Sequence, residues 1–259
     1  SSEYKKVADY PSSYVMTEGG RRDFVLFADS TAATIVTEPT DYTVCHVAAG
    51  LLADDIERVC GTKPQQVQDI SGLSGNAVFI ATLGQSTLVD TLAAQGKLDV
   101  SDVSGQWETF ILQVVDQPAP GIEKGLFIVG SDRRGTAYGV FDLSEKMGVS
   151  PWYWWADVPV RHRDSIIIRH GRYKEGPPSV KYRGIFINDE GWGMHPWARD
   201  TYAPEDGYIG PKTYRQVFEL LLRLKANYLW PAMHPCTKAF NAFPENKMIA
   251  DDYAIVMGS

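Results

Sequence analysis

A short hydrophobic run at residues 184–187 stops abruptly at three polar side chains, and this junction limits the possible folds of the whole chain. The polar side chains are those of Asn188, Asp189 and Glu190. Residues 211–230 follow with a predicted helix that carries one apolar stripe and then with a second short strand. A strand, a helix and a strand in this order are typical of a (β/α)8 barrel, which keeps its chemistry at the C-terminal ends of its strands.

The residues before this junction alternate between strand and helix patterns. Apolar runs predict strands at residues 24–28, 34–37, 76–82, 107–115, 125–129 and 165–169. The first two of these strands are short and close enough to form a hairpin. Apolar residues at helical spacing, with glycines as stop signals, predict helices at residues 41–60, 88–95 and 134–147. A Gly-Pro-Pro break at residues 176–178 ends the series, so we predict an α/β chain of two domains. They are a sandwich-like α/β domain at residues 1–178 and the truncated first part of a (β/α)8 barrel at residues 179–259.

Composition and charge exclude two classes of partner. The chain has 259 residues, of which 44% are hydrophobic and 12% aromatic, and this is enough for a sizeable core. A net charge of −7 leaves no basic stripe for a phosphate backbone. No apolar run approaches the roughly 18 residues that cross a bilayer. We therefore expect neither nucleic acid nor a membrane as a partner.

The three cysteines are too few for a disulfide framework. Cys45 and Cys60 flank the predicted helix at residues 41–60, for which Asp41 or Thr43 is the expected N-cap. About 15 residues at about 1.5 Å rise separate the two thiols by roughly 22 Å, whereas a bridge needs Cα atoms within about 7 Å. Neither a CxxC motif nor a Cys and His cluster with zinc spacing occurs, so we expect no metal site and no cofactor.

Two other motifs admit a functional and a structural interpretation. The aromatic residues 152–155 lie between two prolines, and their rings could form a platform for a sugar, because flat apolar ring faces stack on pyranose C–H surfaces. The same rings could fill the seam between the two domains, and we favour this second interpretation. Residues 130–135 follow a strand and open a helix, as a phosphate loop does, but they lack the Lys-Ser/Thr pair and the GxGxxG spacing. We interpret them as a helix-opening turn.

The candidate polar residues follow the two predicted barrel strands. Asp189 and Glu190 are adjacent, so in a strand they point to opposite sides, one towards the pocket and one towards a neighbouring group. Strand phase alone does not identify the inward set, but the shorter side chain of Asp189 is held more rigidly and makes it the favoured catalytic group. His234 follows the second strand, where an imidazole can bond a sugar hydroxyl or a carboxylate. A histidine that only caps the barrel rim would occupy the same position, so both interpretations remain open.

Four runs of sequence carry a family resemblance. They are RGTAYGVFDLSEKMGVSPWYWWADVPV at residues 134–160, VKYRGIFINDE at 180–190, LKANYLWPAM at 224–233 and KAFN at 238–241. Together they resemble the xylan α-glucuronidases of glycoside hydrolase family 115 over nearly the whole chain.

This resemblance implies an N-terminal α/β domain, a (β/α)8 catalytic barrel and further C-terminal domains. It implies a secreted or extracytoplasmic glycosidase that removes α-1,2-linked glucuronic acid, or its 4-O-methyl ether, from xylan with inversion. The substrate would be glucuronoxylan or oligosaccharides derived from it. Carried onto this sequence, the resemblance gives Asp189 and Glu190 as catalytic candidates. It gives Asn188, His234 and Asn241 as substrate-binding candidates.

The length of the barrel region sets a further expectation. A (β/α)8 barrel needs about 250 residues, and residues 179–259 amount to about a third of that, ending in a third strand at residues 254–257. We therefore expect an N-terminal piece of a longer enzyme, inactive alone, which needs the remainder of the polypeptide to complete the barrel. An inverting glycosidase uses two carboxyl groups some 6.5–9.5 Å apart, and we expect at most one of them here. The alternative is a noncatalytic carbohydrate-binding or scaffold module with an incomplete barrel.

Overall fold

The computed structural model describes residues 13–186, 194–198, 202–205, 209–231 and 240–258. Within them the chain has the predicted α/β character. The strands are β1 (Val15–Met16), β2 (Phe24–Ala28), β3 (Thr31–Ala32), β4 (Thr34–Thr37), β5 (Gln66–Val67), β6 (Gly75–Thr82), β7 (Phe110–Asp116), β8 (Ile122–Gly130), β9 (Ile166–Ile168), β10 (Arg172–Glu175), β11 (Gly184–Phe186), β12 (Tyr228–Trp230) and β13 (Val256–Met257). The helices are α1 (Thr43–Cys60), α2 (Thr87–Ala94), α3 (Arg133–Met147), α4 (Met194–Trp197), α5 (Pro211–Arg223) and α6 (Pro244–Asp252), with a 3₁₀ turn at Phe240–Ala242.

Six strands form the central sheet of the N-terminal part, in the order β10-β7-β8-β6-β4-β5. Strands β8, β6, β4 and β5 are parallel, and β7 and β10 complete one side in antiparallel pairs. Leu126 and Ile128 of β8 join the core formed with α1 and α3, whereas Phe127 and Val129 join a second core formed with α2. Because the middle of the sheet is covered on both faces, strands β6 and β8 contain continuous apolar runs rather than alternating ones.

The predicted hairpin between the first two strands is wrong. Strand β2 instead turns back into β3, and both belong to a smaller antiparallel sheet of order β1-β9-β2-β3. Asp29 and Ser30 form this turn with φ angles of 49° and 61°, the left-handed backbone that a two-residue hairpin turn requires. Strand β4, the other predicted partner, lies in the central sheet beside β6.

Helix ends follow the predicted stop signals better than the predicted caps. Gly61 and Gly148 end α1 and α3 in the left-handed conformation, with φ angles of 84° and 109°. The prediction that Asp41 or Thr43 caps α1 is wrong, since Tyr42 occupies the N-cap position and makes no side-chain cap bond. Asp41 instead ties the loop to β6, because its Oδ2 accepts from Thr82 N at 2.9 Å.

The C-terminal part is a parallel sheet of order β11-β12-β13. Helix α5 connects the first two strands and α6 precedes the third, so two successive βα repeats of the predicted barrel arrangement are present. Helix α6 is absent from the sequence prediction because it has no apolar stripe, and its buried residues are Asn246, Ile249 and Ala250. Closure into a full (β/α)8 barrel stays a prediction.

The N-terminal and C-terminal parts share one continuous hydrophobic core that includes α1, α3, α5 and α6. Hydrogen bonds cross the seam between them; for example, Tyr138 Oη donates to Ala226 O at 3.0 Å, and Arg134 Nε donates to Ala254 O at 2.6 Å. The aromatic residues Tyr153 and Trp155 pack against the same core. This packing supports the seam interpretation of residues 152–155. The division at residue 178 stays a prediction.

A buried ion pair fixes α5 on α1 at this seam. Arg223 donates to Asp55 through both terminal nitrogens, at 2.8 and 3.0 Å, and the two side chains are 2% and 0% exposed. Glu219, one helical turn earlier, accepts from Arg223 at 3.4 Å, and Tyr153 Oη donates to it at 3.3 Å. Burial lowers the pKa of Arg223, but its interactions with Asp55, Glu219 and Tyr153 together more than offset this, so the pKa is raised overall.

Glu219 is expected to destabilise the fold at neutral pH. Burial raises its pKa, although Arg223 opposes the shift. When the pKa of a carboxyl group is higher in the folded than in the unfolded protein, the group stabilises the fold fully at a pH below its unfolded pKa of about 4.3. This stabilisation is lost as the pH rises through the folded pKa. Glu219→Gln should therefore be at least as stable as the parent protein at pH 7, with an advantage that grows between about pH 4 and pH 7. Urea unfolding across this range tests it, and a variant that is less stable at pH 7 would contradict it.

Candidate functional site

The sequence places the candidate site at the C-terminal edge of the β11-β12-β13 sheet. Asn188, Asp189, Glu190 and His234 lie outside the described residues, so their assignments stay predictions. Asn241 is described, and it is exposed on the 3₁₀ turn between β12 and α6. This connection leaves the C-terminal end of β12, the edge on which the sequence places the site.

The turn that carries Asn241 is anchored from below. Phe240 is buried, and its ring meets Tyr214 of α5 edge-on, with centroids 4.9 Å apart and planes at 88°. Asn246, which is fully buried in α6, donates from Nδ2 to Phe240 O at 2.8 Å. The exposed amide of Asn241 is therefore presented from a packed support rather than from a free loop.

The strand register separates the sheet into two chemically different faces. Phe186 pairs with Trp230, and Leu229 lies beside Ile185 and Met257. The face that packs on the shared core consists of Ile185, Leu229 and Met257. The opposite face carries Gly184, Phe186, Tyr228, Trp230 and Val256. In a (β/α)8 arrangement the helices cover the outer face, so the face with Phe186 and Trp230 corresponds to the interior.

Aromatic rings dominate the interior face. Phe186 is 64% exposed and Trp230 is 46% exposed. Tyr228 packs against Trp230, with ring centroids 4.7 Å apart and planes at 64°. These two rings border a cavity of about 430 Å³ that is lined by Tyr182, Gly184, Tyr228, Trp230, Val256 and Met257. Aromatic faces with a nearby indole N–H and phenol O–H suit the C–H faces and hydroxyls of a sugar.

Two glycines allow the close packing of this face. A Cβ on Gly184 would lie 1.9 Å from Tyr228 O, and a Cβ on Gly258 would lie 2.7 Å from Trp230 Cδ1. Both are closer than real carbon atoms approach, so a side chain at either position would displace a neighbouring strand or the indole ring. Sequence reasoning did not single out Tyr228 or Trp230. The available signal was the alternation of aromatic and aliphatic residues at 228–230.

Other places on the molecule fit a ligand site less well. A larger open cleft of about 1050 Å³ borders Thr34 and Asn76, at the N-terminal ends of β4 and β6, whereas α/β sheets bind ligands at the C-terminal ends of their strands. The loop at residues 130–135 is a helix-opening turn, because Asp132 Oδ1 caps α3 by accepting from Gly135 N at 2.7 Å. In the described ranges, no three His, Cys, Asp or Glu side chains lie close enough to hold a metal ion. None of the described helices is long and apolar enough to cross a membrane.

Comparison with known proteins places this arrangement in a family. Residues 175–259 match the profile of Glycosyl hydrolase family 115. Over 92% of its length, the chain resembles the solved structure of BtGH115A, a family GH115 4-O-methyl-α-glucuronidase with specificity for decorated arabinogalactans, at 38% sequence identity and a TM-score of 0.77. The chain covers 29% of that structure. No curated protein gives a match.

More distant structures share the fold alone. The GH20 β-N-acetylhexosaminidase from Streptomyces coelicolor A3(2) aligns with 95% of this chain and 44% of its own, at 11% identity and a TM-score of 0.53. The Streptomyces plicatus N-acetyl-β-hexosaminidase gives the same coverages, 95% and 44%, at 13% identity and a TM-score of 0.52. The profile match and the 38% identity to BtGH115A are far more specific. On these two findings, the chain belongs to glycoside hydrolase family 115.

Proposed function

We propose that this chain is the N-terminal part of a longer, secreted or extracytoplasmic α-glucuronidase that removes glucuronic acid, or its 4-O-methyl ether, from a polysaccharide. The observation that carries the proposal is the likeness to BtGH115A, with 38% identity over 92% of this chain. The interior aromatic face of the β11-β12-β13 sheet supports it, because Trp230 and Tyr228 offer a surface on which a sugar ring can stack.

The reaction that we propose is inverting hydrolysis of an α-1,2 linkage. One carboxylic acid protonates the leaving oxygen while a second carboxylate activates a water molecule on the opposite face of the sugar. We assign one of these two roles to Asp189 or Glu190, and the other to a residue of the remaining polypeptide. Asn188, His234 and Asn241 would bond the hydroxyls or the carboxylate of the uronic acid.

Two physical arguments rank Asp189 and Glu190 differently. The short side chain of Asp189 is held more rigidly, which favours it as the catalytic group. Ile185 packs on the core, while Phe186 lies on the interior face of the sheet. If side chains continue to alternate beyond Phe186, Glu190 lies on the interior face as well. Side chains alternate only as long as strand pairing continues. Variants at both positions therefore decide which of the two carboxylates is the catalytic group.

The polysaccharide from which the uronic acid is removed has two candidates. We propose glucuronoxylan or its oligosaccharides as the substrate, and decorated arabinogalactan as the alternative, because BtGH115A is specific for the latter. The test is to incubate the polypeptide that contains this chain with each polymer and to quantify the released uronic acid by chromatography. Release from glucuronoxylan at a higher kcat/KM supports the first choice, and release from arabinogalactan alone would overturn it. Binding to either polymer with no release would favour the noncatalytic module instead.

A further inference from the structure

A buried carboxylate of the N-terminal part meets two strands of the C-terminal sheet where they begin. Glu108 lies in the loop before β7, and its side chain is completely buried. Its Oε1 accepts from Arg183 Nη2 at 2.5 Å, and its Oε2 accepts from Asn227 Nδ2 at 3.0 Å. Arg183 is the residue before β11, and Asn227 is the residue before β12. One carboxylate therefore joins the starts of both strands.

The strand starts are also bonded to each other. Arg183 N donates to Asn227 Oδ1 at 2.9 Å, and Asn227 N donates to Arg183 O at 2.8 Å. Asn227 O accepts from Val256 N, the first residue of β13, at 2.8 Å. Asn227 thus contacts all three strands. Asn227 Nδ2 donates to Lys181 O at 2.7 Å as well as to Glu108, so these two acceptors together fix the orientation in which Oδ1 can accept from Arg183 N.

Rigid elements of the N-terminal part hold Glu108 in place. Its backbone N donates to Asp132 Oδ2 at 2.9 Å, and Asp132 also caps α3. The next residue, Thr109, donates from its backbone N to Ser131 Oγ at 3.0 Å. The φ angle of Glu108 is 43°, in the left-handed region that a residue with a side chain rarely adopts. Such a conformation persists where the surrounding bonds determine it.

The register of these strands determines the geometry of the candidate site. A slip of one residue moves a strand by about 3.3 Å and exchanges its two faces. It would replace the Phe186 and Trp230 side chains on the interior face and displace every residue at the C-terminal edge. Catalytic groups need placement to within about 0.5 Å, so the contacts at the strand starts matter for residues that Glu108 does not touch.

We infer that Glu108 is a positioning residue of the proposed glycosidase, acting through Arg183 and Asn227 on the register of β11 and β12. The inference rests on the proposed function for its catalytic consequence. It makes the N-terminal part a contributor to the site rather than an appendage. The claim that Glu108 fixes the register of the sheet does not depend on any activity.

The test compares Glu108→Ala, Glu108→Gln and the control Asp55→Asn in the polypeptide that contains this chain. Asp55 also lies at the seam, but it bonds helix α5 through Arg223 rather than the strand starts. For each variant, kcat and KM are measured on folded protein, and hydrogen exchange is measured at the amides of Tyr228 and Val256. Glu108→Ala should lower kcat about 10- to 100-fold, the scale of a 1 Å misplacement, with a smaller change in KM and faster exchange. Glu108→Gln, which keeps an acceptor oxygen, should recover part of both.

The control separates positioning from stability. Asp55→Asn should lower the melting temperature while kcat and the exchange of the two amides stay close to those of the parent. A folded Glu108→Ala protein with parental kcat and exchange would overturn the inference. If that variant does not fold, Glu108→Gln decides in the same way, since parental values in both measurements would overturn it. A parent protein without turnover would refute the proposed function alone, and unchanged exchange would then refute the register claim separately.

Discussion

Replacing Arg223 with methionine is expected to lower the free energy of unfolding by about 3 kcal/mol, the lower end of the range for breaking a buried pair. The variant would leave the Asp55 carboxylate buried, since that side chain is 0% exposed. Arg58 still donates to Asp55 Oδ1 at 2.7 Å, and this remaining contact limits the loss. Urea unfolding of the parent and the variant at pH 7 measures the difference.

Two controls make this result specific. Lys63 and Asp54 form a surface pair with side chains 49% and 39% exposed, so Lys63→Met should change stability by less than about 1 kcal/mol. The double variant Arg223→Met with Asp55→Leu should recover most of the loss, because apolar replacement of both partners of a buried pair is often neutral or stabilising. Equal effects of Arg223→Met and Lys63→Met would show that the buried pair does not hold the seam.

Neutralising the carboxylate of Asp189 is expected to lower kcat/KM about 10²-fold or more if the group acts as a general base. Asp189→Asn keeps the size of the side chain and removes its charge. The matched variant is Glu190→Gln, and both are measured in the polypeptide that contains this chain, with stability monitored in parallel. This prediction is independent of the seam, because neither variant alters Asp55 or Glu108.

The comparison between the two variants assigns the role. A larger loss in Asp189→Asn follows from the rigidity of the shorter side chain. A larger loss of kcat/KM in Glu190→Gln would follow from the alternation of side chains along β11, because Phe186 lies on the interior face and Glu190 is four residues further on. Parental kinetics and stability in both variants would remove this pair of carboxylates from the reaction.

Local patterns in the sequence predicted most of the elements. The spacing of apolar residues located α1 and α3, and glycines in the left-handed conformation ended both helices as predicted. Local patterns failed where a distant partner decides the structure. Asp41 is a good N-cap residue, but its carboxylate instead accepts a hydrogen bond from the backbone N of Thr82, which is 41 positions away. Helix α6 has no apolar stripe, so periodicity could not reveal it.

The candidate site was only partly predictable for the same reason. The strand carrying Phe186 was located from its apolar run, but its inward face could not be chosen until packing placed Ile185 against the helices. The contact between Glu108 and Asn227 joins residues 119 positions apart, and no local sequence pattern links the two. Such long-range polar contacts leave no local periodicity, so they become visible only in the folded chain.

The family resemblance, in contrast, was accessible from short runs of residues. The run at 180–190 lies within residues 175–259, which match the family 115 profile. These runs identify the family because several distinctive segments occur in one order. They do not identify the polysaccharide, since BtGH115A is specific for decorated arabinogalactans.

We propose that this chain is part of an α-glucuronidase, and time-resolved proton NMR of the reaction is the decisive test of this proposal. The polypeptide that contains this chain is mixed with a polysaccharide decorated with 4-O-methylglucuronic acid, and the anomeric signals are followed from the first minutes. We predict loss of the α-linked uronic acid signal and the appearance of free uronic acid first as the β-anomer, the product of inversion. First appearance of the α-anomer would contradict inversion, and a decorated polysaccharide that stays unchanged would contradict the assignment of an α-glucuronidase.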